Sequence, residues 1–272
     1  MPDIEANGIR IHYELDDFTD PWEASDTIWI QHGYGRSGKF WYHWVPSLAR
    51  NYRVLRADMR GHGQSADPPV DRAWSADDLL ADIRGVVEAL ELGSVHYVGE
   101  SVGGILGIAL AAQWPELLKS LTLVAAPLSI RPEIQEIFAV GEKDWPTAME
   151  KIGGDGWAKR LMGYGAAHPD TSEGKMEWGL SEWAKNRPMM LANLARLAAT
   201  VNVESLLPKV GVPTLILAPA LSLISPLEEQ IKIRRTIPDA RLTVVDGSWH
   251  EIYLDDPDAC ISALSKFLQS LP

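Results

Sequence analysis

The chain of 272 residues has a single cysteine, Cys260, so no intramolecular disulfide can form. Cys260 lies in a late apolar pattern, Ala259-Cys260-Ile261, and reads as a small core residue. No apolar run is long enough to span a bilayer. The N-terminus, Met1-Pro2-Asp3-Ile4-Glu5, is acidic and lacks the apolar core of a secretory signal, so a cytoplasmic location is expected. Basic residues are outnumbered, 25 Lys and Arg against 37 Asp and Glu, for a net charge of -12. Such a chain repels phosphate backbones and anionic lipid, so nucleic acid and membranes are not expected partners. Solubility accounts for the charge. No internal repeat, low-complexity tract or metal-ligand cluster stands out. The glycine turn after Asp58 lacks the dinucleotide spacing. Neither a metal nor a cofactor is expected.

What is present suits one large α/β domain. Hydrophobic residues make up 46% and charged residues 23%, enough for a proper core and too apolar for general disorder. Residues 9–15 alternate and read as an antiparallel edge strand, with His12 on an exposed edge. Thr27 to Gln31, Tyr52 to Ala57, Val95 to Val98 and Leu121 to Val124 read as strands. Ser75 caps a helix whose apolar residues recur from Leu79 to Leu90, with Asp77 and Asp78 in its first turn. Another helix is expected from Ile105 to Gln113, stopping before Pro115. Strands alternating with helices imply a mostly parallel sheet covered on both faces. The rhythm breaks from Pro127 to about Leu207, where only helical patterns occur. It returns at Pro213 to Ala218 and Arg241 to Val245, and Asp258 to Leu268 is amphipathic. A helical insertion therefore interrupts one domain: residues 1–127 and 208–272 as core, 128–207 as cap.

Gly99-Glu100-Ser101-Val102-Gly103 matches G-x-S-x-G, between an apolar strand and a helix. Small residues permit the sharp turn that projects a serine hydroxyl above the sheet, and the helix N-terminus favours developing negative charge. Acyl transfer also needs two donors for the oxygen that becomes negative. The Val102 N–H supplies one, and His32-Gly33-Tyr34-Gly35 supplies the other, from Tyr34. Trp249-His250 follows the last strand, where a loop histidine can swing over the serine. The other six histidines are weaker candidates. His62, in Asp58-Met59-Arg60-Gly61-His62-Gly63-Gln64-Ser65, reads as a structural residue of a tight turn.

These motifs resemble the α/β-hydrolase superfamily, in order and in spacing, over nearly the whole chain. They are most similar to its small serine enzymes: carboxylesterases, lactonases, carbon–carbon bond hydrolases and cofactor-free haloperoxidases. The resemblance implies an α/β-hydrolase fold with an eight-stranded sheet and a cap between strands six and seven. It also implies an aspartate after strand seven, shortly before a proline. Here that loop reads Leu217-Ala218-Pro219-Ala220-Leu221-Ser222-Leu223-Ile224-Ser225-Pro226, and Ser222 stands in the aspartate's place. Val124-Ala125-Ala126-Pro127, after strand six, has no carboxylate either. Glu228 and Glu229 should point away on the next helix, and Glu251 cannot easily reach back to His250. Three readings stay open: a Ser–His dyad helped by Ser222 or water, a carboxylate from elsewhere, or a lost acid with slow hydrolysis or binding only.

The expected reaction is attack by Ser101, with His250 as general base, on an apolar ester or lactone. Gly33, Trp145, Trp157, Trp183 and Met162 are expected at the substrate, and Trp178, Met176, Met189 and Met190 also suit an apolar pocket. Packing between cap and core explains most of these residues taken singly. Serine at 101, in place of aspartate, argues against haloalkane dehalogenase and epoxide hydrolase chemistry. A carbon–carbon hydrolase, a ligand-binding receptor or a cofactor-free oxygenase remain the alternatives.

Overall fold

The short apolar runs pair into one eight-stranded sheet in a computed structural model that describes residues 2–162 and 168–271. The strands are β1 (Asp3–Ala6), β2 (Ile9–Asp16), β3 (Thr27–Gln31), β4 (Arg53–Ala57), β5 (Val95–Glu100), β6 (Leu118–Val124), β7 (Thr214–Pro219) and β8 (Ala240–Val245). Their order is β1-β2-β4-β3-β5-β6-β7-β8. The first two pairings, β1 with β2 and β2 with β4, are antiparallel, and the rest are parallel. Strands β3, β5 and β7 are buried at every position, as strands covered on both faces must be.

One expectation about the edge fails. Residues 9–15 belong to β2, which is the second strand, because β1 pairs outside it. His12 is accordingly buried, not exposed; its Nδ1 lies 2.9 Å from Asp3 Oδ1.

Helices cover both faces. The short α1 (Val45–Leu48) is followed by α2 (Ala76–Ala89) and α3 (Val102–Gln113). Ser75 caps α2 in a reciprocal box with Asp78, satisfying amides that the first helical turn leaves open. α3 starts three residues earlier than the apolar periodicity implies, directly after Ser101. α4 (Pro132–Phe138), α5 (Trp145–Met162), α6 (Glu173–Trp183) and α7 (Pro188–Ala198) all fall between β6 and β7. After β7 come α8 (Leu227–Thr236), α9 (Ile252–Asp255) and α10 (Pro257–Gln269).

The apolar side chains form three clusters. One packs α2 and α3 on one face of the sheet, around Leu80, Ile83, Ile108 and Leu121. A second packs α1 and α10 on the other face and contains Cys260, fully buried as expected of a core residue. The third lies among the inserted helices, around Trp145, Trp157, Trp183 and Leu191. α7 takes part in two of them: Met190 and Leu194 pack on the sheet side, Leu191 and Ala195 with the inserted helices.

Candidate active site

Ser101 sits between β5 and α3 with φ 51°, a left-handed backbone that non-glycine residues rarely adopt. Its amide donates to Val124 O at 3.0 Å, and its carbonyl accepts from the amides of Gly104 and Ile105. The turn closes tightly on β3: a Cβ at Gly103 would lie 2.5 Å from Gln31 O, so only glycine fits there. Val102 is the first residue of α3, so its N–H has no carbonyl of a preceding turn to meet.

His250 approaches from the loop after β8. Its Nε2 lies 3.1 Å from Ser101 Oγ, and its Nδ1 lies 3.1 Å from Ser222 Oγ. The loop after β7 is stitched to that after β8 by Ala220 N–H to Val245 O and Leu221 N–H to Ser248 O. Ser225 adds a second hydroxyl, 3.4 Å from Nδ1, and its amide donates to Ser222 Oγ. For Nε2 to accept the Ser101 proton, Nδ1 must carry the ring hydrogen and donate toward Ser222. Burial, with the Arg36 charge adding to it, lowers the His250 pKa to about 3, so the ring rests neutral and able to accept a proton.

A cavity of about 180 Å³ opens onto Ser101 and His250. Tyr34, Val102, Trp145, Trp157, Trp183 and Met162 line it, as do Trp178, Met176, His168, Ser222 and Trp249. The Tyr34 ring packs 4.5 Å from that of Trp145, and its hydroxyl donates to Leu191 O at 2.8 Å. Three expectations need correction. Gly33 is not on the cavity wall; the Glu100 carboxylate covers its Cα, where a Cβ would lie 2.2 Å from Oε2. Met190 is buried on the sheet side beside Gly61, and Met189 is 40% exposed, so neither reaches the cavity. Helical spacing turns both away from the cluster that Leu191 joins with Trp145, Trp157 and Trp183.

His32, His62 and His96, set aside in the sequence, have structural partners. His32 Nε2 accepts from the Met59 amide and its Nδ1 bonds Gly33 O, tying the loop after β3 to the Asp58 turn. Asp58 accepts from the amides of Gly38 and Gln64. His62 Nδ1 bonds Arg60 O, and His96 Nδ1 lies 2.9 Å from Ser120 Oγ.

A family model described as the alpha/beta hydrolase fold matches residues 26–161, half of the chain. The chain belongs to the α/β-hydrolase fold family. A protein of Agrobacterium fabrum named a putative carbamate hydrolase RutD is 26% identical over 265 residues, covering 95% of this chain and 98% of that one. Among solved structures, MGS-M2, an alpha/beta hydrolase enzyme from a Medee basin deep-sea metagenome, aligns with TM-score 0.86 at 21% identity over 100% of this chain and 98% of that one. An enol-lactonase from Burkholderia xenovorans LB400 aligns with TM-score 0.83 at 20% identity over 99% of this chain and 100% of that one.

Two charged residues of this α/β-hydrolase escape sequence reading. Glu100, the variable position before the nucleophile, is 4% exposed and lines the same cavity. Its Oε1 lies 3.9 Å from His250 Nε2. Burial raises its pKa to about 7, with the Arg36 charge and the Gly33 amide pulling it down. Arg36 lies over the Phe40 and Trp183 rings, each 4.7 Å from its guanidinium carbon, and pairs with Glu251. The one available signal was glycine at 33: β3 and β5 run in parallel register, Gln31 beside Gly99, so the residue after Gly99 needs room there. Glu251 is thus engaged with Arg36. Glu229 accepts from the Leu128 amide and faces Arg131. Among the described residues no group of three or more His, Cys, Asp or Glu could hold a metal ion.

Proposed function

We propose that the chain is a serine hydrolase that cleaves an apolar carboxylic ester or lactone through an acyl-enzyme on Ser101. The observation that carries this reading is the 3.1 Å contact between Ser101 Oγ and His250 Nε2 at the floor of a tryptophan-lined cavity. His250 takes the serine proton as Oγ attacks the carbonyl carbon. The Tyr34 and Val102 amides hold the oxygen that becomes negative. His250 then returns the proton to the leaving alkoxide, and water releases the acyl group by the same steps reversed. Ser222 fixes the ring tautomer through Nδ1. Trp145, Trp157, Trp183 and Met162 favour an apolar acyl or alcohol part over a charged one. Segment 128–207 acts as a cap over a core of residues 1–127 and 208–272, a division supported by the separate cluster that Trp145, Trp157 and Trp183 form. No helix among the described residues is long and apolar enough to cross a membrane, which fits a substrate met in solution.

The test is a panel of aryl esters, lactones, carbamates and diketones, run beside a serine-directed fluorophosphonate. The protein should label, and Ser101→Ala should abolish both labelling and ester turnover with an unchanged fold. Wild-type turnover in Ser101→Ala would end this reading. Turnover confined to diketones would move the assignment to carbon–carbon cleavage.

A further inference from the structure

Taking the proton from Ser101 leaves a cation on His250. The ring is mostly enclosed, with 16% of its side chain exposed, so water solvates that cation poorly. On the Nδ1 side stand two neutral hydroxyls, Ser222 and Ser225. They accept a hydrogen bond and supply no charge. On the Nε2 side, among the described residues, Glu100 brings a carboxylate within ion-pair distance, at 3.9 Å. Its other oxygen, Oε2, is buried against Gly33 and makes no well-aligned hydrogen bond. A buried carboxylate with an unspent oxygen is costly to keep. Glu100 is not held by a lattice of backbone amides, as the Asp58 carboxylate is, and it borders the reaction cavity.

We propose that Glu100 balances the positive charge of His250 during acyl transfer, from the Ser101 side of the ring, in the absence of an acid at Nδ1. The proposal rests on the serine–histidine reading above. Glu100 exchanges no proton in it. The proton passes from Ser101 Oγ to His250 Nε2, the Oγ–carbon bond forms, and the carboxylate stays ionised beside the imidazolium. Because it acts through His250, Glu100 is a positioning residue. The charged or titratable groups facing it are Arg36 from the loop after β3, His250 from the loop after β8, and Tyr253 from α9. Its ionised fraction grows as pH rises through neutrality, since burial has moved its titration to about 7.

The experiment compares pH profiles of kcat and kcat/KM for an aryl ester in the parent and in Glu100→Gln, which keeps the volume over Gly33. At alkaline pH the variant should lose at least about tenfold, the effect of roughly one pKa unit that an opposite charge at this range exerts. The loss should fall on kcat, and the parent's rising limb near pH 7 should vanish. In a Ser222→Asp background the same change should cost far less, because a second carboxylate then balances the cation. A purely structural Glu100 would cost the same in both backgrounds. Should Glu100→Gln not fold, Glu100→Asp, which keeps the charge but withdraws it, should lower kcat while retaining the limb. Parent-like rates and limb in the first variant that folds, or equal losses in both backgrounds, overturn the proposal. A parent that fluorophosphonate does not label overturns the serine–histidine reading instead.

Discussion

At the scale of single residues, the site is a serine in a strained backbone facing a histidine whose second nitrogen, among the described residues, meets the hydroxyls of Ser222 and Ser225. The strain at Ser101, φ 51° and ψ -114°, costs roughly 1–3 kcal/mol and is held by the glycines that let the turn close. The hydroxyl at 222 sets up a prediction. Ser222→Asp places a negative charge about where Oγ now lies, 3.1 Å from Nδ1, with the Ser225 amide already aimed at it. A negative neighbour favours the protonated ring, so the His250 pKa should rise from its buried value of about 3, while the limb near pH 7 that Glu100 sets should weaken. Above that limb the acylation rate should increase, because a carboxylate makes a stronger hydrogen bond to the imidazolium than a hydroxyl does. A rate and a limb identical to the parent's would refute the placement of charge demand at Nδ1. Ser101 and His250 could be read from the sequence, since each follows a strand, whereas Ser222 was legible only through the family resemblance, by counting back from Pro226 to the place of the usual aspartate. Glu100, Arg36 and Ser225 could not be read. Their neighbourhood is created by the pairing of β3 with β5 and by the stitching of two loops, and neither leaves a local pattern.

At the scale of elements, amphipathic spacing is legible where an element has one wet face. α2 and α10 show it, and the Ser75 cap marks where α2 begins. That cap gives a second prediction. Ser75→Ala removes the acceptor for the Asp78 amide and should cost about 1 kcal/mol, read as a lowered urea midpoint, with ester turnover untouched. A stability equal to the parent's would show the cap to be redundant. α3 is harder to delimit because it is buried on nearly every side, so its first turn carries no alternation of wet and dry residues. The break inside α5 does leave a signal: Gly153 has φ 68° there, and it belongs to Gly153-Gly154-Asp155-Gly156, a glycine cluster of the kind that marks a turn. The misreading of β2 as an edge has a different origin. Alternation reports that a strand has one polar face, and says nothing of which strand lies beyond it.

At the scale of the whole molecule, buried ionisable groups decide how the fold meets acid. Burial lowers the pKa of His32 to about 4 and that of His62 to about 3, against about 6.5 in an unfolded chain. The unfolded state therefore binds more protons, and the stability these two contribute is full above pH about 6.5 and is lost as pH falls through their folded values. The shifts correspond to on the order of 3–5 kcal/mol each. Glu100 works the other way, because its folded pKa is raised to about 7: acidification relieves its buried charge, by on the order of 3 kcal/mol. The two histidines outweigh it, so the urea midpoint should fall steadily between about pH 6.5 and 4. A flat midpoint across that range would contradict the burial of neutral imidazoles. The contact between Gly33 and the Glu100 carboxylate bears on redesign. A methyl group at 33 would occupy the space of Oε2, so the carboxylate would have to swing aside and its distance to the His250 ring would change. Positions 33 and 100 thus belong in one combinatorial set. A library that varies residue 33 alone also resets the field at a base it never touches.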